Sequence, residues 1–276
     1  MSYNSEDTIL ETLDSIKGQT YTNIELIVSD DSSQDNTLEI AKEWLTINKN
    51  RFFSATLLER EKNTGISCNC NRAGKLAKGR FIKFIAADDI ICSEYIENCI
   101  SFFLRNPDCN ILFTRLTAFL EFDKTSIINL PEDYAFLELD KIEQFDYIVK
   151  HGLPLLPTPA CIFTKTILEN MDYFDEDLPM WEDGPMYFKL ALHNIKFYFL
   201  DINGIYYRIR RNSLSNKKPV SHMISVSKFY FKYQMKYELK YSPLKVPYHC
   251  IKYFFGKHSD KLLARFLFNI TQMHVK

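Results

Sequence analysis

The chain has 276 residues, 14% of them aromatic, which is enough for one large α/β domain with an appendage or for two small domains. Its formal net charge of −1 conceals an asymmetry, because residues 216–276 contain 12 Lys/Arg and 2 Asp/Glu, so a basic tail follows an acidic body. The acidic body argues against nucleic acid as a partner. The seven cysteines include no Cys-x-x-Cys pair, which argues against a disulfide framework or a zinc site and favours reduced thiols in the cytoplasm.

Helices and strands are expected to alternate along the first half of the chain. Apolar spacing and turn residues predict a helix over 9–16, a strand over 24–29, a helix from 35, a strand over 55–59, a helix ending at 77, a strand over 80–86, a helix over 94–105 and a strand over 110–122. This order is typical of a parallel sheet with helices on its faces. No run approaches the about 18 apolar residues of a membrane span.

Two of the predicted strands end in paired carboxylates. Asp30 and Asp31 follow one strand, and Asp88 and Asp89 follow another. In open α/β sheets, ligands bind beyond the carboxyl ends of the strands, and adjacent carboxylates usually need a cation or strong donors. The alternative is that these aspartates only cap the helices that follow.

Short motifs occur in a fixed order between residues 1 and 215. They are Tyr3-Asn4, Asp30-Asp31-Ser32-Ser33, Asn63-Thr64-Gly65, Asn71, Ala77-Lys78-Gly79, Asp88-Asp89, Phe174-Asp175-Glu176, Glu182-Asp183, and Tyr207-Arg208 with Ser213 and Ser215. Each is weak alone, but the ordered set resembles the family 2 glycosyltransferases. The resemblance implies an α/β GT-A fold over residues 1–215, Rossmann-like with a mostly parallel central sheet flanked by helices, and leaves 216–276 as a basic helical extension.

The resemblance also implies an activity. It predicts an inverting glycosyltransferase of hexosyltransferase type (EC 2.4) that moves a sugar from a nucleotide-sugar donor, expected to be UDP-linked, to a saccharide or lipid-linked acceptor in surface polysaccharide biosynthesis. Asp88 is then the expected carboxylate for Mg²⁺ or Mn²⁺, the hard cations that prefer oxygen ligands. A second hypothesis is a catalytically impaired GT-A domain that acts as a binding or scaffold protein at the membrane surface.

Inverting transfer requires one general base to deprotonate the acceptor hydroxyl. By resemblance, Asp183 is the expected base, and Trp181 and Glu182 are expected to contact the sugar or the acceptor. A simpler interpretation of Glu182-Asp183 is the acidic first turn of the helix that follows, and one carboxylate can serve both purposes.

The donor nucleotide is expected to contact Tyr3, Asp30, Asn63, Asp88 and Arg208. Arginine suits a diphosphate because its guanidinium donates two parallel hydrogen bonds. The alternative for Arg208 is a solvated basic loop without a ligand.

Three departures from the family pattern accompany the resemblance. No apolar strand precedes Tyr3, so Met1 is expected to be an internal methionine of a longer reading frame or the start of a truncated gene product. Ala86 replaces the first acid of the D-x-D triplet, and Cys70 replaces the arginine of the A-R-N motif. The last two departures affect the expected metal affinity and donor choice.

The basic tail places lysines among aromatic residues. Val226, Phe229, Tyr230, Tyr233 and Tyr237 recur near helical spacing, and a second apolar stripe follows. Such helices suit an anionic membrane surface, which predicts a cytoplasmic protein held peripherally at the inner face of the plasma membrane. The alternative is that the aromatic residues pack against the catalytic domain and leave the lysines exposed. The second stripe is Ile251, Phe254, Phe255, Leu262, Leu263, Phe266, Leu267 and Ile270.

Overall fold

The computed structural model describes residues 1–121, 123–128, 133–210, 220–241, 243–247 and 249–250. The strands are β1 Glu25–Ser29, β2 Ser54–Leu58, β3 Phe81–Ile82, β4 Ile90–Ile91, β5 Ile111–Leu120, β6 Asp123–Ile128, β7 Cys161–Thr164 and β8 Phe197–Ile209. The helices are α1 Ile9–Lys17, α2 Thr37–Asn48, α3 Ile66–Leu76, α4 Tyr95–Arg105, α5 Tyr134–Glu138, α6 Lys141–His151, α7 Lys165–Asn170, α8 Asp183–Leu192, α9 Val220–Phe229 and α10 Met235–Tyr241. A π-helical segment, Tyr230–Gln234, joins α9 to α10.

The strands form a parallel pair, β1–β2, and a six-stranded sheet in the order β3-β7-β5-β8-β4, with β6 beside β5. The expectation of a mostly parallel sheet needs a correction here, because the six-stranded sheet is mixed. In it β5 and β8 run parallel, whereas the pairs β3–β7, β5–β7, β4–β8 and β5–β6 are antiparallel. Parallel neighbours need long crossover connections, whereas β6 begins at Asp123, shortly after β5 ends at Leu120, and pairs with it antiparallel.

Met1 and Ser2 lie between the two groups of strands. The Ser2 amide donates to the Ser29 carbonyl at 2.9 Å, and Ser2 forms a parallel bridge with Asp30. On the other side, the Ala87 amide donates to the Met1 carbonyl at 2.9 Å. These two residues therefore join β1 to the segment that follows β3.

Apolar side chains pack on both faces of the sheet. One cluster lies under α1, α2 and α4, and the other under α5 to α8. Gly204 of β8 lies at a close approach between them, because a Cβ at this position would overlap Thr114 Oγ1 and lie 2.5 Å from the Tyr95 ring.

We expect Gly204→Ala to lower the free energy of unfolding by about 1–3 kcal/mol, the usual cost of overpacking a core. Gly18→Ala is the matched control, because a Cβ there meets nothing closer than 3.4 Å and the φ angle of −76° suits alanine. Urea denaturation followed by circular dichroism measures both variants. Equal stability of the two variants would contradict the predicted overlap.

The described part of the tail packs against the body. Phe229 and Tyr230 are buried, and the Phe229 ring lies 5.0 Å from the Trp181 ring and 5.4 Å from the Phe188 ring. The packing alternative therefore applies to this helix, whereas the second apolar stripe, from residue 251 onwards, lies outside the described residues. Among the described helices, none combines the length and apolar character that a membrane span requires.

Candidate active site

The loop after β1 places its two carboxylates in different environments. Asp31 accepts hydrogen bonds from the Thr64 amide at 2.9 Å, the Thr64 hydroxyl at 2.8 Å and the Gly65 amide at 2.8 Å. It therefore fixes the turn before α3, where Gly65 adopts a φ of +89° that favours glycine. Asp30 is 1% exposed and accepts from the Ser2 hydroxyl, the Ser33 hydroxyl and the Ser33 amide.

The other residues expected at the nucleotide differ in accessibility. Tyr3 is 48% exposed, and Asn63 is exposed at the turn before α3, where its Oδ1 accepts from the Gly65 amide at 3.2 Å. The Asp30 carboxylate faces inward toward Ser2 and Ser33, so Tyr3 and Asn63 are the more accessible groups at this edge of the sheet.

Arg72 of α3 is a functional candidate that the sequence analysis did not identify. Its guanidinium donates to the Ser29 hydroxyl and to the Asp30 carbonyl, the latter at 2.7 Å. Its Nη1 atom is buried and has no partner among the described residues. An unpaired buried donor costs about 1–3 kcal/mol, so this nitrogen is suited to an anionic ligand oxygen. The signal in the sequence was its position two residues after Cys70, which replaces the family's arginine.

Asp88 and Asp89 lie in the segment between β3, which ends at Ile82, and β4, which begins at Ile90. Asp89 is 1% exposed and accepts from the Arg208 amide at 3.0 Å, and burial, followed by the charge of Asp88, raises its pKa to about 8. Asp88 is half-buried, and burial raises its pKa while the charges of Arg210, Arg208 and the Met1 ammonium oppose that rise. Asp88 is therefore the more accessible carboxylate of the two, and cationic groups surround it.

The Arg208 guanidinium is held by hydrogen bonds and an ion pair with other residues of the chain. It is 5% exposed, donates to the Asp88 carbonyl at 2.8 Å, forms an ion pair with Glu11 and lies over the Phe119 ring at 4.8 Å. This arrangement orients the Asp88 loop. The charge of Arg210 lowers the pKa of Asp88 more than the charge of Arg208 does, and Arg210 donates to Glu121 at 2.8 Å.

The donor set around Asp88 bears on the expected metal. In the described part of the chain, no three Asp, Glu, His or Cys side chains converge on one point as a metal cage would require. Mg²⁺ at nucleotide sites is typically bound by one or two carboxylates together with substrate phosphates and water. Asp88 fits that role, while Ala86 offers no ligand and Asp89 faces the backbone of β8.

Asp183 is the first residue of α8. Its Oδ2 accepts from the Thr158 hydroxyl at 2.9 Å, and its Oδ1 accepts from the Gly184 amide at 2.6 Å. Two donors thus fix the orientation of a carboxylate at a helix N-terminus, where the helix dipole favours its charge. The Thr158 loop is itself fixed by Lys83, whose ammonium donates to the carbonyls of Pro159 and Cys161.

The neighbouring Glu182 has a raised pKa. Burial, followed by the charge of Asp183, raises the pKa of Glu182 to about 8. At neutral pH, Glu182 is therefore mostly protonated and can donate a hydrogen bond. Trp181 is half-buried beneath the tail helix, against Phe229, and the close approach of Gly184 holds its ring in place.

We expect Glu182→Gln to change how stability depends on pH. The pKa of Glu182 rises from 4.5 to about 8 on folding, so the folded state binds the extra proton and the parent loses stability as pH rises through this window. Glutamine does not titrate, so the melting temperature of the variant relative to the parent should rise between pH 5 and pH 8. Because Asp89 titrates in both proteins, the difference isolates Glu182. A constant difference across this range would contradict the raised pKa.

The buried Cys70 thiol is affected by the charges of Glu182 and of the Met1 ammonium. Burial raises the pKa of its thiol; the charge of Glu182 adds to that rise and the Met1 ammonium opposes it. The Met1 ammonium in turn is influenced by Asp88 and Asp30. The Cys70 thiol therefore feels the charge of Glu182 and of Met1, and Met1 in turn feels the charges of Asp88 and Asp30.

Comparisons with known proteins agree with this fold and these motifs. The model of the family described as Glycosyl transferase family 2 matches residues 1–170. The Escherichia coli UDP-Glc:alpha-D-GlcNAc-diphosphoundecaprenol beta-1,3-glucosyltransferase WfaP is 28% identical over 221 residues, which cover 79% of this chain and 78% of the relative. The Bacillus subtilis minor teichoic acid biosynthesis protein GgaB is 27% identical over 77% of this chain and 23% of its own length.

Solved structures show the same fold. Staphylococcus aureus TarS 1-349 in complex with UDP-GlcNAc superposes with a TM-score of 0.65 and 21% identity, over 93% of this chain and 70% of that chain. The Pyrobaculum calidifontis mannosyltransferase PcManGT, in complex with GDP-Man and Mn²⁺, gives a TM-score of 0.60 and 18% identity, over 84% and 61%. The expected GT-A fold is confirmed, and with the family model matching more than half of the residues, the chain belongs to the family 2 glycosyltransferases and is a glycosyl-transferring enzyme.

Proposed function

We propose that the chain is an inverting glycosyltransferase that moves a sugar from a UDP-linked donor to a saccharide or lipid-linked acceptor in surface polysaccharide assembly. The observation that carries the proposal is the oriented Asp183 carboxylate beside a protonated Glu182. The E. coli and B. subtilis relatives, named for a diphosphoundecaprenol-linked acceptor and for teichoic acid, support the acceptor class. The UDP-GlcNAc complex of TarS supports the nucleotide.

In the proposed reaction, Asp183 removes the proton from the acceptor hydroxyl as its oxygen forms a bond to the anomeric carbon. The bond from that carbon to the donor diphosphate breaks, and the nucleoside diphosphate leaves with the electron pair. Thr158 and Gly184 keep the carboxylate oriented for this step. Glu182 holds its own proton at neutral pH, so it donates to a sugar oxygen and does not compete as a base.

The leaving diphosphate needs positive charge and donors. A divalent metal, when bound, neutralises part of that charge, and Asp88 is the residue that would hold it. Arg72 contributes the unpaired Nη1 donor at the edge of β1, and Arg210 contributes a cation near Asp88. Tyr3 and Asn63, both exposed at the same edge, are the proposed contacts of the nucleoside.

The impaired-domain hypothesis also has an observation in its favour. The Asp30 carboxylate already accepts hydrogen bonds from Ser2 and Ser33, and alanine at position 86 lacks the carboxylate of one expected metal ligand. Calorimetric titration of UDP, with and without Mn²⁺, separates the two hypotheses. Binding that strengthens with Mn²⁺, together with release of UDP from UDP-sugars in the presence of acceptor, supports the enzyme. A folded protein that binds neither UDP, GDP nor dTDP supports the scaffold.

Thr158→Val tests the orientation of the base. We expect the turnover number to fall about tenfold with UDP affinity unchanged, because the carboxylate loses one of its two donors but keeps its charge. Thr117→Val is the control, since its hydroxyl donates at 3.0 Å to the exposed side chain of Asn203 on β8. Steady-state assays of UDP release measure both variants, and a full rate for Thr158→Val would contradict the orienting role.

A further inference from the structure

The Lys83 ammonium lies inside the protein and is not used in the proposed reaction. Lys83 is half-buried as a residue, and burial lowers the pKa of its ammonium while Cys161 and Asp89 oppose that change. The ammonium donates to the carbonyls of Pro159 and Cys161 and lies over the Tyr95 ring at 5.4 Å. Lysine is seldom buried without partners, because dehydrating a charge is costly. An apolar side chain would avoid this cost, so the distinctive property of Lys83 here is its donors.

Lys83 takes over a hydrogen bond at the point where two strands separate. β3 and β7 pair antiparallel, and their pairing ends at Ile82. The alternating pattern of this ladder would next bring the Phe84 amide to the Cys161 carbonyl. The side chain of Lys83 donates to that carbonyl at 3.1 Å instead. Lys83 therefore supplies from its side chain a donor that the strand pairing does not provide.

The other carbonyl belongs to a short turn that needs support from side chains. Thr158–Ala160 is a 3₁₀ helix of three residues, which is too short to pair its own carbonyls. The Pro159 carbonyl accepts from the Lys83 ammonium, and the Ala160 carbonyl accepts from the Tyr95 hydroxyl at 3.2 Å. The turn is therefore held by donors from the connection between β3 and β4 and from α4.

We propose that Lys83 is a positioning residue for glycosyl transfer and acts on Asp183 through Thr158. The proposal rests on the proposed function, in which Asp183 is the base. Lys83 holds the Pro159 carbonyl. The hydroxyl of the adjacent Thr158 donates to the Asp183 carboxylate at 2.9 Å, so loosening the first contact misplaces the second. Lys83 and Asp88 lie in the same connection between β3 and β4, so one segment of chain supports both the base and the proposed metal carboxylate.

Hydrogen exchange tests the contact without relying on activity. Lys83→Met keeps the length of the side chain and removes its donors. Amide exchange in residues 157–161, followed by mass spectrometry in the whole chain, should become at least about tenfold faster, because two carbonyls at the turn lose a donor. Exchange in residues 171–173 should stay as in the parent.

Lys189→Met is the matched control. The Lys189 ammonium also donates to two backbone carbonyls, those of Met171 at 2.6 Å and Tyr173 at 2.7 Å, and burial also lowers its pKa. This variant should give the reverse pattern, with faster exchange in residues 171–173 and parent-like exchange in residues 157–161. It should also keep the turnover number of the parent, because its carbonyl partners lie outside the turn before β7.

A double-mutant cycle tests the route from Lys83 to the base. Lys83→Met should lower the turnover number about tenfold, as expected for Thr158→Val, and leave UDP affinity within about twofold of the parent. The combined variant should also lose about tenfold and not about a hundredfold, since the ammonium acts through a hydroxyl that is already absent. If Lys83→Met does not fold, Lys83→Gln enters the same cycle. Its amide can still donate to one carbonyl, so its loss should be about threefold and should disappear in the Thr158→Val background.

The positioning role is overturned if Lys83→Met keeps the parent rate, if the two losses multiply in the combined variant, or if Lys189→Met loses as much activity. Unchanged exchange in residues 157–161 would overturn the contact itself. UDP release by the parent is measured in the same samples. A parent that releases no UDP in the presence of acceptor, with exchange as expected in both variants, counts against the glycosyltransferase function and the catalytic role of Lys83 but not against the contact.

Discussion

Asp183→Asn is expected to lower the rate of glycosyl transfer by about 10³-fold and to leave UDP affinity within about twofold of the parent. Asparagine has nearly the same shape and can still accept from the Thr158 hydroxyl, so the Thr158 loop should keep its position. It cannot take up the acceptor proton at neutral pH, so the displacement loses its base. The loss should appear in the turnover number and not in the donor KM, because the proposed donor site is formed by Asp88 and Arg72 and does not include Asp183.

The measurement is UDP release at saturating donor and acceptor, with calorimetry for UDP affinity. Asp146→Asn is the matched control, because Asp146 is an exposed helical aspartate paired with Lys150 and lies on α6. A variant that keeps more than a tenth of the parent rate would exclude Asp183 as the base. An equal loss of rate and UDP affinity would instead indicate that Asp183 positions the donor.

Local patterns in the sequence predicted the early elements well. Apolar spacing predicted α1 and its end at Gly18, and the expected strand Ile24–Ser29 matches β1, Glu25–Ser29, to within one residue. These elements follow from periodicity and turn residues, which act over a few positions. Asp30 and Asp31 directly follow β1, as expected, whereas β3 ends at Ile82, six residues before Asp88.

The residues after Ile82 show where local patterns are insufficient. The apolar run Phe81–Ala86 was expected to be one buried strand, yet among the described residues strand pairing ends at Ile82, and the segment after it bonds to Met1. A β-strand forms only when a neighbouring strand can pair with it, however apolar its residues are. Which strands become neighbours is decided by the tertiary structure.

The partners of Arg208 and Arg72 could not be predicted from the sequence either. The sequence placed Arg208 at the diphosphate, but its partners, Glu11 and the Asp88 carbonyl, are distant in the chain and could not be inferred from spacing. Arg72 lies within a helix whose charge pattern is unremarkable, and its unpaired nitrogen becomes visible only when Ser29 and Asp30 are in place. Both remain predictions as nucleotide contacts.

Asp88→Asn is expected to weaken UDP binding about 10- to 100-fold in Mn²⁺ and to have little effect in EDTA. A metal held by one protein carboxylate and the donor phosphates would lose its anionic protein ligand in this variant, whereas the proposed contacts of UDP with Tyr3, Asn63 and Arg72 would be unchanged. Asp89→Asn is the matched control, because Asp89 is only 1% exposed and an amide oxygen can still accept from the Arg208 backbone.

Calorimetric titration of UDP against the parent and both variants, in Mn²⁺ and in EDTA, gives six affinities. Together they decide whether Asp88 binds the metal. The metal hypothesis requires that Mn²⁺ strengthen binding in the parent and in Asp89→Asn but not in Asp88→Asn. If Asp88→Asn binds UDP more tightly than the parent in EDTA, the carboxylate repels the diphosphate when no metal is bound, which also places it at the leaving group. If Mn²⁺ has no effect on any of the three proteins, Arg72 and Arg210 supply the positive charge and Asp88 is not a metal ligand.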